Sequence, residues 1–294
     1  MKISYYPGCT LKYKAKNLET SALASLAALG IDVEEMDRWN CCGAVYSLAD
    51  DDLIHLVGPA RNLIRAKEQG ADKIVTLCSM CYNTLARVNQ LMKNDEEKRD
   101  TINRFMDEEI DYFGEVEVVH YLTLIKEEVG WKALREKVQR PLDGLKVASY
   151  YGCTLQRPQE VGIEPLGSFA LMRELFDAIG AETIAFNAAD SCCGSYQVIC
   201  EEPGDNKAAA KVVSSAAAGG ADVMATSCPL CEFNLGKQQD ELIAKGNITT
   251  QVPTLYFTQL LAMALGVDAA EYHLELNDPS VQELLKTKNC LAAV

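Results

Sequence analysis

Ten of the twelve cysteines in this 294-residue chain fall into two sets with the same internal order. Each set has a lone cysteine, a vicinal pair followed by glycine, and a C-x-x-C. The first is Cys9, Cys41, Cys42, Cys78 and Cys81; the second is Cys153, Cys192, Cys193, Cys228 and Cys231. In the first, 31 residues separate Cys9 from Cys41 and 35 separate Cys42 from Cys78; the second has 38 and 34. Thiolates are the usual ligands of iron–sulfur clusters. Four of them complete a tetrahedral zinc site or a cubane cluster, so a fifth matched cysteine in both sets is surplus to either. A thioredoxin-like dithiol would account for each C-x-x-C and leave Cys41, Cys42, Cys192 and Cys193 unexplained. Two redox-active iron–sulfur sites are therefore the leading expectation, with structural zinc as runner-up.

The sets belong to an internal repeat. Tyr5-Tyr6-Pro7-Gly8-Cys9-Thr10-Leu11 returns as Ser149-Tyr150-Tyr151-Gly152-Cys153-Thr154-Leu155, and Asn40-Cys41-Cys42-Gly43 as Ser191-Cys192-Cys193-Gly194. The C-x-x-C stations match in turn. A weaker echo pairs Val116–His120 with Val252–Tyr256. The turn Pro141-Leu142-Asp143-Gly144 places the boundary near residue 144, giving modules 1–144 and 145–294.

Patterning predicts strands at Lys2–Tyr6, Ile31–Met36, Lys73–Leu77 and Val116–Val119, with helices from about Asn17 to Leu29 and Asp51 to Gln69. The stripe Leu18, Ala22, Ser25, Leu29 is core-facing by spacing. The second half repeats the strands at Lys146–Tyr150, Thr183–Phe186, Val223–Thr226 and Val252–Leu255. Such alternation predicts an α/β fold: two duplicated Rossmann-like βαβ halves with parallel sheets, related by a pseudo-twofold axis. The cysteines then follow the carboxyl ends of strands, where open α/β sheets place ligands. Cys78 and Cys228 fall at helix starts, which favour thiolate charge. Gly8, Gly43, Gly152 and Gly194 let the backbone come close to a bulky group.

A net charge of −14 argues against a nucleic-acid or anionic-membrane partner. No apolar run reaches the ~18 residues of a membrane span, and no signal segment is evident at the start. A cytoplasmic location is expected, where thiols stay reduced and so many cysteines point to metal or redox chemistry.

With the motifs C-x₃₁-CCG-x₃₄-C-x-x-C and C-x₃₈-CCG-x₃₃-C-x-x-C, and the ending VPTLYFTQLLAMALG, the chain resembles the B subunits of heterodisulfide reductases, methanogen enzymes of the CCG cysteine-rich family. That resemblance implies a noncubane [4Fe–4S] cluster on each set of five cysteines, with one cysteine able to bridge two irons. It implies reduction of the CoM-S-S-CoB heterodisulfide, with electrons passed from a flavin-containing A subunit, by way of a ferredoxin-like C subunit. A hydrogenase or formate dehydrogenase would stand beyond them. The chain has neither a ferredoxin cysteine run nor a G-x-G-x-x-G fingerprint, so its electrons are expected from another chain. CCG modules also serve as electron relays in glycolate-, lactate- and fumarate-linked enzymes, which is the alternative function.

One electron per cluster would suit a two-electron disulfide lying between them. Lys12, Lys14 and Arg157 follow Cys9 and Cys153 and are the candidate cations for an anionic substrate, against the plainer reading of a solvated surface run. His120 and Tyr256, at matched strand ends, could donate to cluster sulfur or protonate a departing thiolate, or simply pack. Cys200 and Cys290 lack counterparts and read as small buried residues; His55 and His273 carry no functional expectation.

Overall fold

The computed structural model describes residues 3–44, 52–195, 202 and 204–291. The first half runs β1 (Ile3–Tyr5), α1 (Cys9–Tyr13), α2 (Lys16–Leu29), β2 (Glu34–Glu35), α3 (Ile54–Glu68), β3 (Lys73–Thr76), α4 (Ser79–Asn94), α5 (Glu96–Phe105), β4 (Glu117–His120), α6 (Tyr121–Glu128) and α7 (Trp131–Lys137). The second runs β5 (Lys146–Ser149), α8 (Ala170–Ala178), β6 (Glu182–Ile184), α9 (Lys207–Ala218), β7 (Val223–Thr226), α10 (Pro229–Glu232), a π-turn (Phe233–Lys237), α11 (Gln239–Ala244), β8 (Thr254–Tyr256), α12 (Phe257–Ala264) and α13 (Pro279–Thr287).

Each half builds a four-stranded, all-parallel sheet, in the orders β2-β1-β3-β4 and β6-β5-β7-β8. The central strands β3 and β7 are buried along their whole length, as expected of parallel strands covered on both faces. In both orders the winding reverses between the first and third strands of the half. That is the switch point at which doubly wound sheets open a crevice at their carboxyl edge. Cys9 and Cys78 follow the two strands flanking it in the first sheet, and Cys153 and Cys228 do so in the second.

Local signals explain most boundaries. Gly30 ends α2 in the left-handed region (φ 82°), its N–H bonding the carbonyls of Ala27 and Leu26. Leu18, Ala22, Ser25 and Leu29 are buried, as their spacing predicts. The strand expected over 31–36 shrinks to Glu34–Glu35, because it lies at the sheet edge with both side chains exposed. The chain after Cys9 forms the short helix α1 where none was expected. Lys12 therefore sits in the last turn of α1, where that helix's dipole favours its charge, while still lying just ahead of the start of α2.

The halves share a core. Helix α12 is buried on every side, and large side chains such as Phe257, Leu260 and Leu261 each contribute about 1.5–3 kcal/mol by leaving water. It lies against α2 of the other half, where Ser21 Oγ and Thr258 Oγ1 are 2.8 Å apart. The chain beyond it returns to the same helix: Thr20 donates to Glu271 O (2.7 Å) and Asn17 to Asn277 Oδ1 (3.0 Å). Among the described residues no helix is long and apolar enough to cross a membrane.

Candidate functional site: a line of ten thiols

The strand ends bring all ten matched cysteines into one continuous line. Cys9 Sγ lies 3.6 Å from Cys41 Sγ, Cys42 Sγ 3.4 Å from Cys81 Sγ, and Cys193 Sγ 3.5 Å from Cys231 Sγ. Side-chain contacts join Cys41 to Cys42, Cys81 to Cys78, Cys228 to Cys231, Cys193 to Cys192, and Cys192 to Cys153. The two sets meet where Cys78 and Cys228 come close enough to shift each other's pKa, beside the hydrogen bond from Ser79 N to Ser227 O (3.4 Å). Read from either end towards that contact the order is the same, as a pseudo-twofold relation between the halves requires.

Backbone N–H groups point at the sulfurs. Cys78 and Cys228 are the N-caps of α4 and α10, and first-turn N–H groups, that of Cys81 for Cys78 and those of Cys231 and Leu230 for Cys228, lie within electrostatic reach of their sulfurs and favour the thiolate. Gly43 N lies 3.5 Å from Cys41 Sγ and Gly194 N 3.3 Å from Cys192 Sγ. Both glycines have positive φ (70° and 74°), which turns the amide back onto the preceding thiol. The repeated tyrosines brace the same loops: Tyr6 OH donates to Asn40 O (2.8 Å) and Tyr150 OH to Ser191 O (2.6 Å), each just ahead of a vicinal pair.

Electrostatics limits what the bare thiols can do. Two thiolates in contact repel by about 5 kcal/mol at an effective dielectric constant near 20. Charge therefore settles on a few sulfurs. Cys42 is lowered by hydrogen bonds from Cys41 and Cys81, Cys192 by those from Cys153 and Cys193, and Cys228 by those from Cys231 and Cys78. Their neighbours move up: Cys9 chiefly through its bond to Cys41, Cys153 through its bond to Cys192, and Cys78 through its bond to Cys228. Full ionisation needs added positive charge, and an all-sulfur donor set with amides turned onto it suits iron and sulfide. Among the described residues no three donors converge on the centre that a lone metal ion would occupy. A line of sulfurs fits a multinuclear group better than one tetrahedral zinc.

The candidate cations are otherwise engaged. Lys12 Nζ lies 2.7 Å from both Glu19 and Glu35, and Arg157 grips Asp190 through its carbonyl (3.0 Å) and carboxylate (2.6 Å). Neither is free for an anionic substrate; Arg157 instead ties the loop after Cys153 to the one before Cys192. Lys14 is exposed. His120 is buried, and its hydrogen bonds go to backbone and not to sulfur. Nδ1 accepts from Leu122 N (3.3 Å), which leaves Nε2–H to donate to Leu77 O (3.1 Å). Burial lowers its pKa to about 4. Tyr256 is buried within electrostatic reach of Glu232, Cys228, Cys78 and Cys231, and burial foremost holds its hydroxyl protonated.

Several site residues are not evident from the sequence. Asn83, on α4, donates to Thr154 O and Arg157 O (both 2.8 Å), so a first-half side chain holds the loop carrying Cys153. Asn234 and Asn206 donate to Cys193 O (3.2 and 2.9 Å). An asparagine shortly after each C-x-x-C was the available signal. Cys290 is buried away from the line, its thiol 3.6 Å from Lys288 O, while Cys200 lies outside the described residues.

The CCG family, described as a cysteine-rich domain, matches residues 3–86 and 147–236. The chain belongs to this family. Its two matches take in the two thiol sets and the first three strands of each sheet, leaving β4 and β8 outside. The chain is 32% identical to the 8-methylmenaquinol:fumarate reductase membrane anchor subunit of Wolinella succinogenes, over 94% of this chain and 96% of that one. It is 28% identical to the B subunit of the Ferredoxin/F(420)H(2)-dependent CoB-CoM heterodisulfide reductase of Methanosarcina acetivorans, over 94% and 93%. In fold it resembles a hypothetical protein from Helicobacter pylori (TM-score 0.69, 15% identity), covering 94% of this chain and 51% of that one. This CCG membership and the named relatives support an iron–sulfur electron-transfer role.

Proposed function

We propose that the ten thiols hold two iron–sulfur clusters, one per half, and that on this chain the CoM-S-S-CoB heterodisulfide is reduced to two thiols. The observation that supports this reading is the approach of Cys78 to Cys228, close enough for each to shift the other's pKa and flanked by the hydrogen bond from Ser79 N to Ser227 O (3.4 Å), which sets the two thiol sets side by side. When bound, a cluster in each half supplies one of the two electrons that a disulfide needs. Five thiols per set exceed the corners of a cubane, which supports a noncubane [4Fe–4S] form. The chain's own part is to fix the sulfurs by strand ends and turns and to aim amide N–H groups at them. Tyr256, whose burial keeps its hydroxyl protonated within electrostatic reach of Cys78 and Cys228, would steady a departing thiolate as a hydrogen-bond donor, the protons themselves coming from water. Reduction consumes two electrons and two protons and breaks only the S–S bond.

Electrons would come from a flavin-containing A subunit, through a ferredoxin-like C subunit, in a soluble cytoplasmic complex. A second reading, an electron relay to another oxidoreductase, is favoured by two observations. The relative at 32% identity is named for quinol:fumarate chemistry, and Cys78 and Cys228 are buried, only 6% and 3% exposed. Anaerobically prepared protein with reduced viologen and CoM-S-S-CoB separates the two. Two viologens oxidised and two thiols formed per disulfide support the first. Clusters that are reduced and reoxidised with no thiol formed would sink it in favour of the relay. Iron and sulfide analysis of the same preparation tests the zinc alternative.

A further inference from the structure

The duplication exposes a place where the halves differ. Aligning Gly8 with Gly152 sets Tyr5 against Ser149, and aligning Gly30 with Gly180 sets Leu23 against Arg173 and Val33 against Thr183. In the first half Tyr5 is buried and sends its hydroxyl to Glu19 Oε1 (3.1 Å), while Leu23 and Val33 pack on the core. In the second half the three smaller or polar replacements leave a hollow of about 190 Å³ at the carboxyl ends of β5 and β6.

Its walls have the makings of a binding site. Ser149 is 3% exposed, and its Oγ, like Thr183 Oγ1, is buried with no hydrogen-bond partner. A buried hydroxyl left without a partner costs free energy, so both would gain from a polar group in the hollow. Arg173 lines the same space and makes no ion pair among the described residues. Glu164, on the loop before α8, spends its oxygens on Ser168 Oγ (2.7 Å) and Ala170 N (3.0 Å). Phe169 and Phe186 give apolar walls. Behind them, Ala189 O accepts the N–H groups of Tyr151 (2.9 Å) and Gly152 (3.0 Å), so the hollow backs onto the loop that carries Cys153.

We propose that this hollow binds a short-chain carboxylate. The guanidinium of Arg173 and the hydroxyls of Ser149 and Thr183 would take the carboxylate oxygens, and the phenylalanines the aliphatic body. The inference does not depend on which reaction the thiol line supports.

Butyrate, with butyramide as its uncharged isostere, is a probe of the right size. Titration calorimetry on the full-length, anaerobically prepared protein should give a butyrate dissociation constant on the order of millimolar. Arg173→Leu, which installs the first-half residue at an exposed position, should weaken butyrate about tenfold or more. Ser149→Ala and Thr183→Val should each weaken it severalfold. The proposal is overturned if butyrate fails to bind at tens of millimolar, if butyramide binds as well as butyrate, or if Arg173→Leu leaves butyrate affinity unchanged. In the first case the hollow holds only water. None of these outcomes touches the cysteines, so they are distinguishable from a failure of the cluster assignment.

Discussion

The two halves share one sheet order and one sequence of thiols, yet treat the ends of the thiol line differently. Cys9 and Cys41 are exposed at the first-half end, whereas Cys153 and Cys192 are half-buried at the other. The second-half end is covered by the segment between β5 and α8, fixed by Arg157 on Asp190 and by Tyr82 OH on Val161 O (2.9 Å). The helix after the C-x-x-C differs too. In the first half α4 runs unbroken for 16 residues. In the second it gives way after four residues to the π-turn 233–237, and Asn234 there reaches Cys193 O and comes within 3.8 Å of its Sγ. Inserted π geometry of this kind often marks a functional site. A shared scaffold thus sets the sulfurs in place, and unshared loops decide which of them meet solvent.

The sharpest test of the line itself compares its middle with its end. Serine at Cys228, a buried thiol beside the other set, should remove more than half of the iron bound after anaerobic preparation, because both halves use that junction. Serine at the exposed Cys9 should remove less than half. Equal losses, read by iron and sulfide analysis, would mean that the junction is not shared. Cys42→Ser and Cys193→Ser, one in each set, should both abolish disulfide turnover if each half supplies an electron; full turnover with one set broken would contradict that division.

Next in size is the cross-half clamp. Asn83→Leu strands the buried carbonyl of Thr154 and the part-buried one of Arg157, and should cost about 2–3 kcal/mol in denaturant unfolding. Asn234→Leu should cost only about 1 kcal/mol, since Asn206 still donates to Cys193 O. If the order reverses, the first half does not hold up the second. A finer contrast lies in two matched glycines, Gly8 (φ 73°) and Gly152 (φ 65°), where alanine should cost about 1–2 kcal/mol at either position. Only Gly8→Ala places a methyl 3.1 Å from a site sulfur, that of Cys81; at Gly152 the methyl meets the Tyr150 ring at 3.2 Å. Gly8→Ala alone should therefore change the visible spectrum of the prepared protein.

Much of this was legible in the residues. Alternating apolar runs and helix stops marked seven of the eight strands closely, and the fivefold cysteine pattern marked every thiol in the line. What escaped depends on contacts between distant segments. The pattern at 31–36 reads as a full strand, but an edge position with a single neighbour pairs only Glu34 and Glu35. Lys12 and Arg157 read as free cations because Glu19, Glu35 and Asp190 stand far from them in sequence. His120 reads as a sulfur donor until the N-terminus of α6 and Leu77 O claim its two nitrogens. The meeting of Cys78 with Cys228 needs the packing of both halves, which no repeat within either half can specify.

A smaller difference between the halves, also away from the thiols, lies at Lys73. It begins β3 where Val223 begins β7; its side chain is 7% exposed and lies 3.3–3.4 Å from Glu117, Glu127 and Glu128. Burial is the largest single influence and works against its charge, but Glu117 and Glu127 together outweigh it and hold its pKa above the usual value. With a raised folded pKa, its contribution is fully present below the unfolded value and is lost only as pH rises through the folded one. No dependence on it is expected below pH of about 10. The glutamates are 30–57% exposed, so they can return to water if the ammonium goes. Replacing a buried ion pair by an apolar side chain of suitable shape is often close to neutral. Lys73→Val should thus change unfolding free energy by less than about 1 kcal/mol at neutral pH, and less still in high salt, where the attraction it removes is already screened. A loss of several kcal/mol would mean that the carboxylates cannot be rehydrated in place, and that this edge of the first sheet is as specialised as the edge that carries the thiols.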